Sequence, residues 1–230
     1  MKLIITAIIL TITVLPCFAV ASDTLRCDTI MNVYGVNLMF KGGTVIKTNS
    51  KNEVVEGVLA KDIDLWTTGP LVYFAGGHHI KFNENGKVYF GFPAVNFIAQ
   101  ACNGVFYEFK ALSRIDFNNK GLVTEGTVEH QFLYLCRDGS EVFSMNGGVV
   151  KFYPDGSIMQ LSPSENVKLS INANVKIMFM GHKFVIFNTD GYVSQGTLAR
   201  KSTLTTQHGT TVTKLQGEMV TFDSNGMLIE

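Results

Sequence analysis

The sequence predicts an all-β protein built from six tandem units of about 35 residues, stacked as a solenoid of β-hairpins. A phenylalanine recurs every 35 residues, at Phe82, Phe117, Phe152, Phe187 and Phe222. A glycine four positions later recurs in the same register, at Gly86, Gly121, Gly156, Gly191 and Gly226. Apolar and polar residues alternate around the phenylalanine column, as in strands that are buried on one face. Self-similarity at one fixed period is typical of a repeat protein.

The turns of each unit carry their own signature. An Asn or Asp precedes the repeated glycine at Asn85-Gly86, Asp155-Gly156, Asp190-Gly191 and Asn225-Gly226. Such pairs favour short hairpins in which the glycine adopts a left-handed conformation. A second column contains Gly69, Gly104, Gly139 and Gly209. Asn174 stands at the remaining place of that column, and we expect it to share a positive φ, since Asn tolerates that conformation.

Each unit is therefore predicted to contain two hairpins, with four strands of about five residues. In the third full unit the expected strands are Phe132–Cys136, Glu141–Met145, Val149–Phe152 and Ser157–Leu161. A degenerate first unit has Asn52 at the turn-glycine place and Thr48 at the phenylalanine place. Six units then cover about Leu25 to Glu230 without a linker, which predicts a single domain over residues 22–230.

Two architectures accommodate four strands per unit. A six-bladed β-propeller would bury both faces of its inner strands and usually needs about 40 or more residues per blade. The units here are shorter, and their strands have one markedly polar face. A solenoid of stacked hairpins, with two thin sheets enclosing one layer of Phe, Ile and Val, is therefore favoured over the propeller.

The N-terminus has the pattern of a secretory signal peptide over residues 1–21. Lys2 is followed by an apolar run to Leu15, and Ala19-Val20-Ala21 supplies a small-residue cleavage site, with the cut expected after Ala21. The apolar run is too short to span a bilayer. The protein is therefore expected to be exported, periplasmic or extracellular, with no stable membrane insertion after cleavage.

Composition argues against nucleic acid as a partner and supports a folded core. The chain has 19 basic and 19 acidic residues and no basic run, so it lacks the electrostatic footprint of a nucleic-acid-binding protein. Charged residues make up 17% and hydrophobic residues 46% of the chain, which provides ample material for a core.

Cysteine usage allows one disulfide in the mature protein. Cys27, Cys102 and Cys136 remain after signal cleavage, so one pair and one free thiol are possible in an oxidising compartment. Cys102 and Cys136 occupy nearly equivalent places in adjacent units and are the candidate pair. They are 34 rather than 35 residues apart, however, and in regular strands that spacing directs them to opposite faces.

One stretch resembles bacterial β-hairpin repeats. Its pattern, Phe187-x-x-x-Gly191-x-Val193-x-x-Gly196-Thr197-Leu198, is similar to the hairpin units of choline-binding cell-wall modules and, more loosely, to MORN-type repeats. Choline-binding units cage their ligand with paired tryptophans and tyrosines, whereas this chain has a single tryptophan, Trp66, and a far longer period. The resemblance implies a hairpin-repeat fold and transfers no ligand residues.

The sequence contains no pattern that identifies a catalytic site, a metal site or a cofactor. His78-His79 adjoins a Gly-Gly turn, and adjacent strand residues point in opposite directions, which makes them a poor metal pair. Asp62 and Asp64 would share a strand face. A secreted hydrolase that uses such surface carboxylates is the alternative to a non-catalytic protein.

Aromatic residues outside the repeat columns are the candidate ligand-binding residues: Trp66, Tyr73, Phe90, Phe92 and Phe106. They can stack on sugar rings or anchor a protein partner, or they can fill a broader core. We therefore expect an exported, non-catalytic binding or structural module of the cell envelope, with a protein or glycan ligand. Self-association through the apolar strand edge near Met227–Ile229 is a further alternative.

Overall fold

The computed structural model describes residues 21–230, which form 24 short antiparallel strands and no helix. This confirms the predicted all-β class. Apart from Ala21, the predicted signal peptide lies outside the described residues. Within them, no helix is long and apolar enough to cross a membrane.

The strands follow one another in a regular order. The first twelve are β1 (Ala21–Thr24), β2 (Thr29–Val33), β3 (Val36–Phe40), β4 (Val45–Thr48), β5 (Val54–Val58), β6 (Ile63–Trp66), β7 (Leu71–Phe74), β8 (His79–Phe82), β9 (Val88–Gly91), β10 (Phe97–Gln100), β11 (Phe106–Phe109) and β12 (Ile115–Phe117). The second twelve are β13 (Val123–Thr127), β14 (Leu133–Leu135), β15 (Glu141–Phe143), β16 (Val149–Phe152), β17 (Ile158–Leu161), β18 (Val167–Ser170), β19 (Lys176–Phe179), β20 (Val185–Phe187), β21 (Val193–Thr197), β22 (Ser202–Thr205), β23 (Thr211–Lys214) and β24 (Met219–Thr221).

Strand pairing establishes a solenoid. Strands from every unit join one 12-stranded antiparallel sheet in the order β1-β4-β5-β8-β9-β12-β13-β16-β17-β20-β21-β24. The other strands form six separate hairpins, numbered here from hairpin 1 (β2–β3) through β6–β7, β10–β11, β14–β15 and β18–β19 to hairpin 6 (β22–β23). A propeller would give each unit a four-stranded sheet of its own, so this pairing rules out the propeller. The second layer is six hairpins, not the continuous thin sheet that the sequence led us to expect.

The core lies between the sheet and the hairpins. The phenylalanine column is buried from the sheet side, as at Phe82, and Val72 and Val142 are buried from the hairpin side within the same cluster. Side chains of alternate residues in each strand therefore meet in one apolar layer, as the alternation in the sequence predicted.

The turns between paired sheet strands have the predicted geometry. Glycines of the repeated column have positive φ, and Asn52 in the degenerate first unit also does, at 61°. The side chain of Asn83 stabilises one such turn, since its Oδ1 accepts hydrogen bonds from the backbone N–H of Asn85 at 2.9 Å and of Lys87 at 3.0 Å. The strand register shifts between Lys81 and Phe82, which fits a bulge beside the glycine turn.

The second glycine column was predicted only in part. Gly104, Gly139 and Gly209 have positive φ, but Gly69 and Asn174 do not. The reason at Asn174 is a different turn, in which the Oδ1 of Asn172 accepts hydrogen bonds from the N–H groups of Asn174 and Val175, both at 2.9 Å. A side chain rather than a left-handed residue closes this hairpin.

A phenylalanine on a hairpin strand packs over a glycine of the sheet 17 residues later in four units. The pairs are Phe40 over Gly57, Phe74 over Gly91, Phe109 over Gly126 and Phe179 over Gly196. A Cβ at any of these glycines would lie 2.6–2.8 Å from the ring. In the remaining described pair both partners change, to the buried Ser144 and Leu161. At each of these pairs, a large side chain on one layer therefore faces a small residue on the other, so that the space between the layers stays filled.

Candidate functional site

The five predicted aromatic residues lie on two opposite faces of the solenoid. Trp66, Tyr73 and Phe106 lie on hairpin strands, and their side chains are 56%, 40% and 65% exposed. Phe90 lies on β9, and Phe92 follows that strand, so both belong to the outer surface of the sheet. The structure brings the first three together on one face and separates them from the other two.

Phe90 and Phe92 contact side chains of the protein itself. The Lys81 Nζ lies 5.4 Å and the Arg114 Cζ 5.1 Å from the centre of the Phe90 ring. Phe92 packs edge-on against Phe90 at 5.7 Å between ring centres and lies tilted against the His78 ring at 5.0 Å. These two rings are half-buried in a cation–π and aromatic cluster, which leaves little ring surface for a ligand.

Charged groups on the outer surface of the sheet neutralise one another. The Glu56 carboxylate is within 3.1 Å of the Lys47 Nζ, 3.0 Å of the His79 Nε2 and 3.6 Å of the Lys81 Nζ. Partial burial alone would raise the pKa of Glu56, but the hydrogen bond from Lys47 and the charges of Lys81 and Lys47 lower it below its usual value. A carboxylate held ionised in this way is a poor general acid.

The same pairing continues along the sheet. The Arg114 Nε lies 2.7 Å from the Asp116 carboxylate, and the Lys151 Nζ lies 3.1 Å from that of Glu125. This surface therefore carries a series of charge pairs, of which Lys151–Glu125 joins neighbouring strands and stabilises the sheet.

The hairpins present a different surface. In hairpins 2 to 4, the outward side chains include eight exposed apolar residues that we call the apolar hairpin surface: Trp66, Leu71, Tyr73, Ile98, Phe106, Leu133, Leu135 and Phe143. Alternation places them there, since the intervening residues Val72, Ala99 and Val142 are buried. Hairpin 6 instead exposes threonines, such as Thr203 and Thr205.

The sequence reasoning missed the aliphatic members of this surface. Ile98 is 68% exposed, and Leu133 and Leu135 are also exposed. The predicted ligand-binding residues are all aromatic residues outside the repeat columns. The signal was present, because once the inward column through Val72 and Val142 is fixed, residues two places apart on the opposite face can be read from the sequence.

A small cavity lies beside Trp66. It has a volume of about 140 Å³ and is lined by Trp66, Asp64, Val36 and Lys87, together with buried Val33 and Leu38 of hairpin 1. An indole, a carboxylate and an ammonium group around an apolar floor offer stacking and hydrogen bonding to a small ring or an inserted side chain.

The two carboxylates considered for hydrolysis have separate surroundings. Asp62 precedes β6, and its Oδ1 accepts a hydrogen bond from the Gly76 N–H at 2.7 Å, which closes a turn. Asp28 does the same for the Gly42 N–H at 2.8 Å, so this is a repeated structural contact. Asp64 points outward opposite Tyr73 on hairpin 2.

A polar cluster joins hairpins 4 and 5. Asp138 accepts hydrogen bonds from Ser140 and Ser170, and its carboxylate lies 2.9 Å from the Lys176 Nζ. Partial burial would raise the pKa of Asp138, but the hydrogen bonds from Ser170, Lys176 and Ser140 hold it well below its usual range. The Lys176 Nζ donates a hydrogen bond to the Ser140 hydroxyl at 2.8 Å and pairs with Asp138, whereas in a serine–lysine catalytic pair the amine accepts the proton of the serine.

Metal-ligating side chains are dispersed. Across residues 21–230, no group of three or more His, Cys, Asp or Glu side chains is arranged to hold a metal ion. His79 pairs with Glu56, and His130 lies 3.0 Å from Glu108.

The three cysteines of the described residues are free thiols. The candidate disulfide between Cys102 and Cys136 is therefore not formed. Their spacing places them in different columns, since Cys136 is buried in the core whereas Cys102 is partly buried against it and its Sγ accepts a hydrogen bond from Asn118 at 3.3 Å. Burial and the nearby Asp138 raise the pKa of the Cys136 thiol to about 12.

These environments predict selective thiol modification. In the chain from residue 22 at pH 7, we expect maleimide to react first with the exposed Cys27, and with Cys136 at least ~100-fold more slowly because its thiol is buried and protonated. Mass spectrometry of peptides over time measures this order. The Cys27→Ser variant should lose the fast phase, and rapid labelling of Cys136 in the folded protein would contradict the assignment.

Comparison with protein-family models and with curated proteins gives no match. Among solved structures, a protein of unknown function from Bacteroides caccae is similar over 87% of this chain and 91% of its own, with 14% sequence identity and a TM-score of 0.21. A similarity at that TM-score carries no argument about function.

Proposed function

We propose that this protein is an exported, non-catalytic binding module that docks a protein partner on its apolar hairpin surface. The observation that carries the proposal is the exposure of eight apolar side chains on three consecutive hairpins. Soluble proteins seldom leave so large a contiguous group of apolar side chains uncovered unless it contacts a partner. The N-terminal signal pattern supports export, and we place the partner in the cell envelope.

The composition of the surface favours a protein over a glycan as its main ligand. Sugar rings stack on aromatic faces, but Ile98, Leu133 and Leu135 are branched aliphatic residues that pack well only against other apolar side chains. The aromatic residues Trp66 and Phe106 would then act as anchors near the centre of the contact.

Glycan binding is a second candidate, restricted to the cavity beside Trp66. The cavity combines an exposed indole with the Asp64 carboxylate and the Lys87 ammonium group, which suits stacking on a sugar ring and hydrogen bonding to its hydroxyls. A glycan array read with wild type and with Trp66→Ala tests this candidate. Retained glycans that are lost in the variant support it, and an empty array for wild type eliminates it.

The protein-binding proposal is tested by affinity capture from envelope extracts. We expect the wild type to retain a defined partner and the double variant Phe106→Ser/Leu135→Ser to retain at least about tenfold less. Leu215→Ser is the matched control, because Leu215 is similarly exposed, at 59%, but lies after β23, away from hairpins 2 to 4. Equal retention by wild type and the double variant, or none by wild type, would overturn the proposal.

A further inference from the structure

The outward charges of the hairpins divide between the two halves of the solenoid. Hairpins 2, 3 and 4 each carry one outward carboxylate, namely Asp64, Glu108 and Glu141. Hairpin 5 carries two outward ammonium groups, Lys168 and Lys176. The outward positions of hairpins 1 and 6 carry no charge. The face is thus acidic and apolar on one side and basic on the other.

Two of these charges occupy equivalent positions within their hairpins. Asp64 pairs across its hairpin with Tyr73, and Lys168 pairs in the same way with Met178. The same place is taken by Ile98 in hairpin 3 and by Leu133 in hairpin 4, at successive spacings of 34, 35 and 35 residues. These four side chains therefore form one row along the face, in the order acid, apolar, apolar, base.

Asp64 and Lys168 stand at the two ends of this row, and neither has a counter-ion within the described residues. Within residues 21–230 neither forms a salt bridge, whereas Lys176 is held by Asp138 and Glu108 lies beside His130. Their opposite charges lie on either side of an uncharged pair of aliphatic residues. If a second copy of the row is laid over the first in the opposite direction, each acidic end meets a basic end and the aliphatic residues meet one another.

Resting on the proposed function, we propose that the protein docked on the apolar hairpin surface is a second copy of this chain, packed antiparallel to the first. A twofold axis that runs along the strands, between hairpins 3 and 4, would place hairpin 3 on hairpin 4 of the second copy and hairpin 2 on its hairpin 5. A twofold interface must be complementary to itself in this way.

The side chains that meet in this arrangement are compatible. Asp64 and Lys168 of the second copy lie at the same height along the strands, one strand spacing apart, so the long lysine side chain can reach the carboxylate. The contact occurs twice in the dimer. Because the twofold reverses the order of the strands, Ile98 of β10 faces Phe143 of β15, and Phe106 of β11 faces Leu135 of β14. Aliphatic and aromatic groups thus fill the centre, beside which Glu108 keeps its partner His130. Trp66 of hairpin 2 lies opposite hairpin 5, where Lys176 supplies a cation for its ring. An apolar centre with charge pairs at its ends is the usual anatomy of a stable interface.

The test is the oligomeric state of four proteins, measured by analytical ultracentrifugation over a concentration series. We expect wild type to be a dimer. Asp64→Lys alone and Lys168→Asp alone should each raise the dissociation constant at least about tenfold, because each places like charges opposite one another twice per dimer. The double variant Asp64→Lys/Lys168→Asp should restore it to within about threefold of wild type, since the pair re-forms with its signs exchanged.

The control is Lys201→Asp, which removes an exposed lysine on the connection before hairpin 6 and should leave the dissociation constant unchanged. Thermal unfolding confirms that all variants fold. A monomeric wild type, single variants that dimerise as tightly as wild type, or a double variant that stays dissociated would each overturn the proposal. If wild type is monomeric while Phe106→Ser/Leu135→Ser still loses a captured partner, this inference fails and the proposed function stands.

Discussion

Replacing Gly196 with leucine is expected to destabilise the protein by about 2–4 kcal/mol, and adding Phe179→Ser should recover most of that loss. A Cβ at Gly196 would lie 2.6 Å from the Phe179 Cδ1, and the ring is fully buried, so neither group can move aside without disturbing the core. Urea unfolding of wild type, both single variants and the double variant measures the coupling.

The protein supplies its own precedent for this rescue. At the equivalent place in the preceding unit, Leu161 occupies the glycine position and Ser144 the phenylalanine position, and both are buried. The Ser144 hydroxyl is satisfied there, because it accepts a hydrogen bond from the Phe132 N–H at 2.9 Å. The exchange of a phenylalanine for a serine and of a glycine for a leucine conserves volume across the two layers.

The reverse exchange is the matched control. Ser144→Phe alone should clash with Leu161, Leu161→Gly alone should leave a cavity, and the double variant should approach wild-type stability. Single-variant losses that simply add in either double variant would show that the two positions do not share space.

The periodic columns made the fold predictable from the sequence. Phe82 and its repeats mark buried sheet positions, and the left-handed glycines mark the turns between sheet strands, so strand bounds in the third full unit agree closely with β14 to β17. The period also assigned Asn52 correctly to a turn, because Asn tolerates positive φ. Local chemistry and global packing agree at these positions, which is why they could be read directly.

A further set of turns was predicted only at Gly76-Gly77, and not as a repeated column, because the residues there do not share a chemical type. Gly77 and Gly147 have positive φ at one place in the repeat, but Leu112 and His182 adopt it at the same place, at 54° and 60°. Leucine and histidine are not turn signals, and only the fold holds them in this conformation. This column of positive-φ residues is therefore recognised from the structure and not from the sequence.

The candidate site was predictable only to the level of residue type. The sequence identified Trp66 and Phe90 alike as aromatic residues outside the columns. Which face each lies on depends on whether its strand joins the sheet or a hairpin, and successive pairs of strands along the chain alternate between the two. Exposure then depends on neighbours such as Arg114, which covers Phe90 from a different unit. The face and the exposure of each aromatic residue are therefore determined by strand pairing, which the 35-residue period of the sequence does not specify.

Replacing Gly121 with alanine is the second change for which a large effect is expected, about 3 kcal/mol or more, whereas Gly104→Ala should cost only about 1 kcal/mol. Both glycines are left-handed, with φ of 76° and 82°. They differ in their surroundings, since a Cβ at Gly121 would lie 2.1 Å from the Gly69 backbone nitrogen, and a Cβ at Gly104 meets nothing within 4 Å. Chemical denaturation of the two variants separates the cost of a left-handed alanine from the cost of the contact.

The contact in question joins one unit to another. The hairpin turn at Gly69 rests on the sheet turn at Gly121, and the Thr68 hydroxyl donates a hydrogen bond to the Asn118 carbonyl at 3.0 Å. In a solenoid, stability is the sum of unit stabilities and interfaces between neighbours, so a lost interface weakens the whole array. Equal losses in Gly121→Ala and Gly104→Ala would show that the turns separate freely and that the core layer alone couples the units. A larger loss in Gly121→Ala, with faster hydrogen exchange in both contacting turns, establishes the turn-on-turn contact as a second link between them.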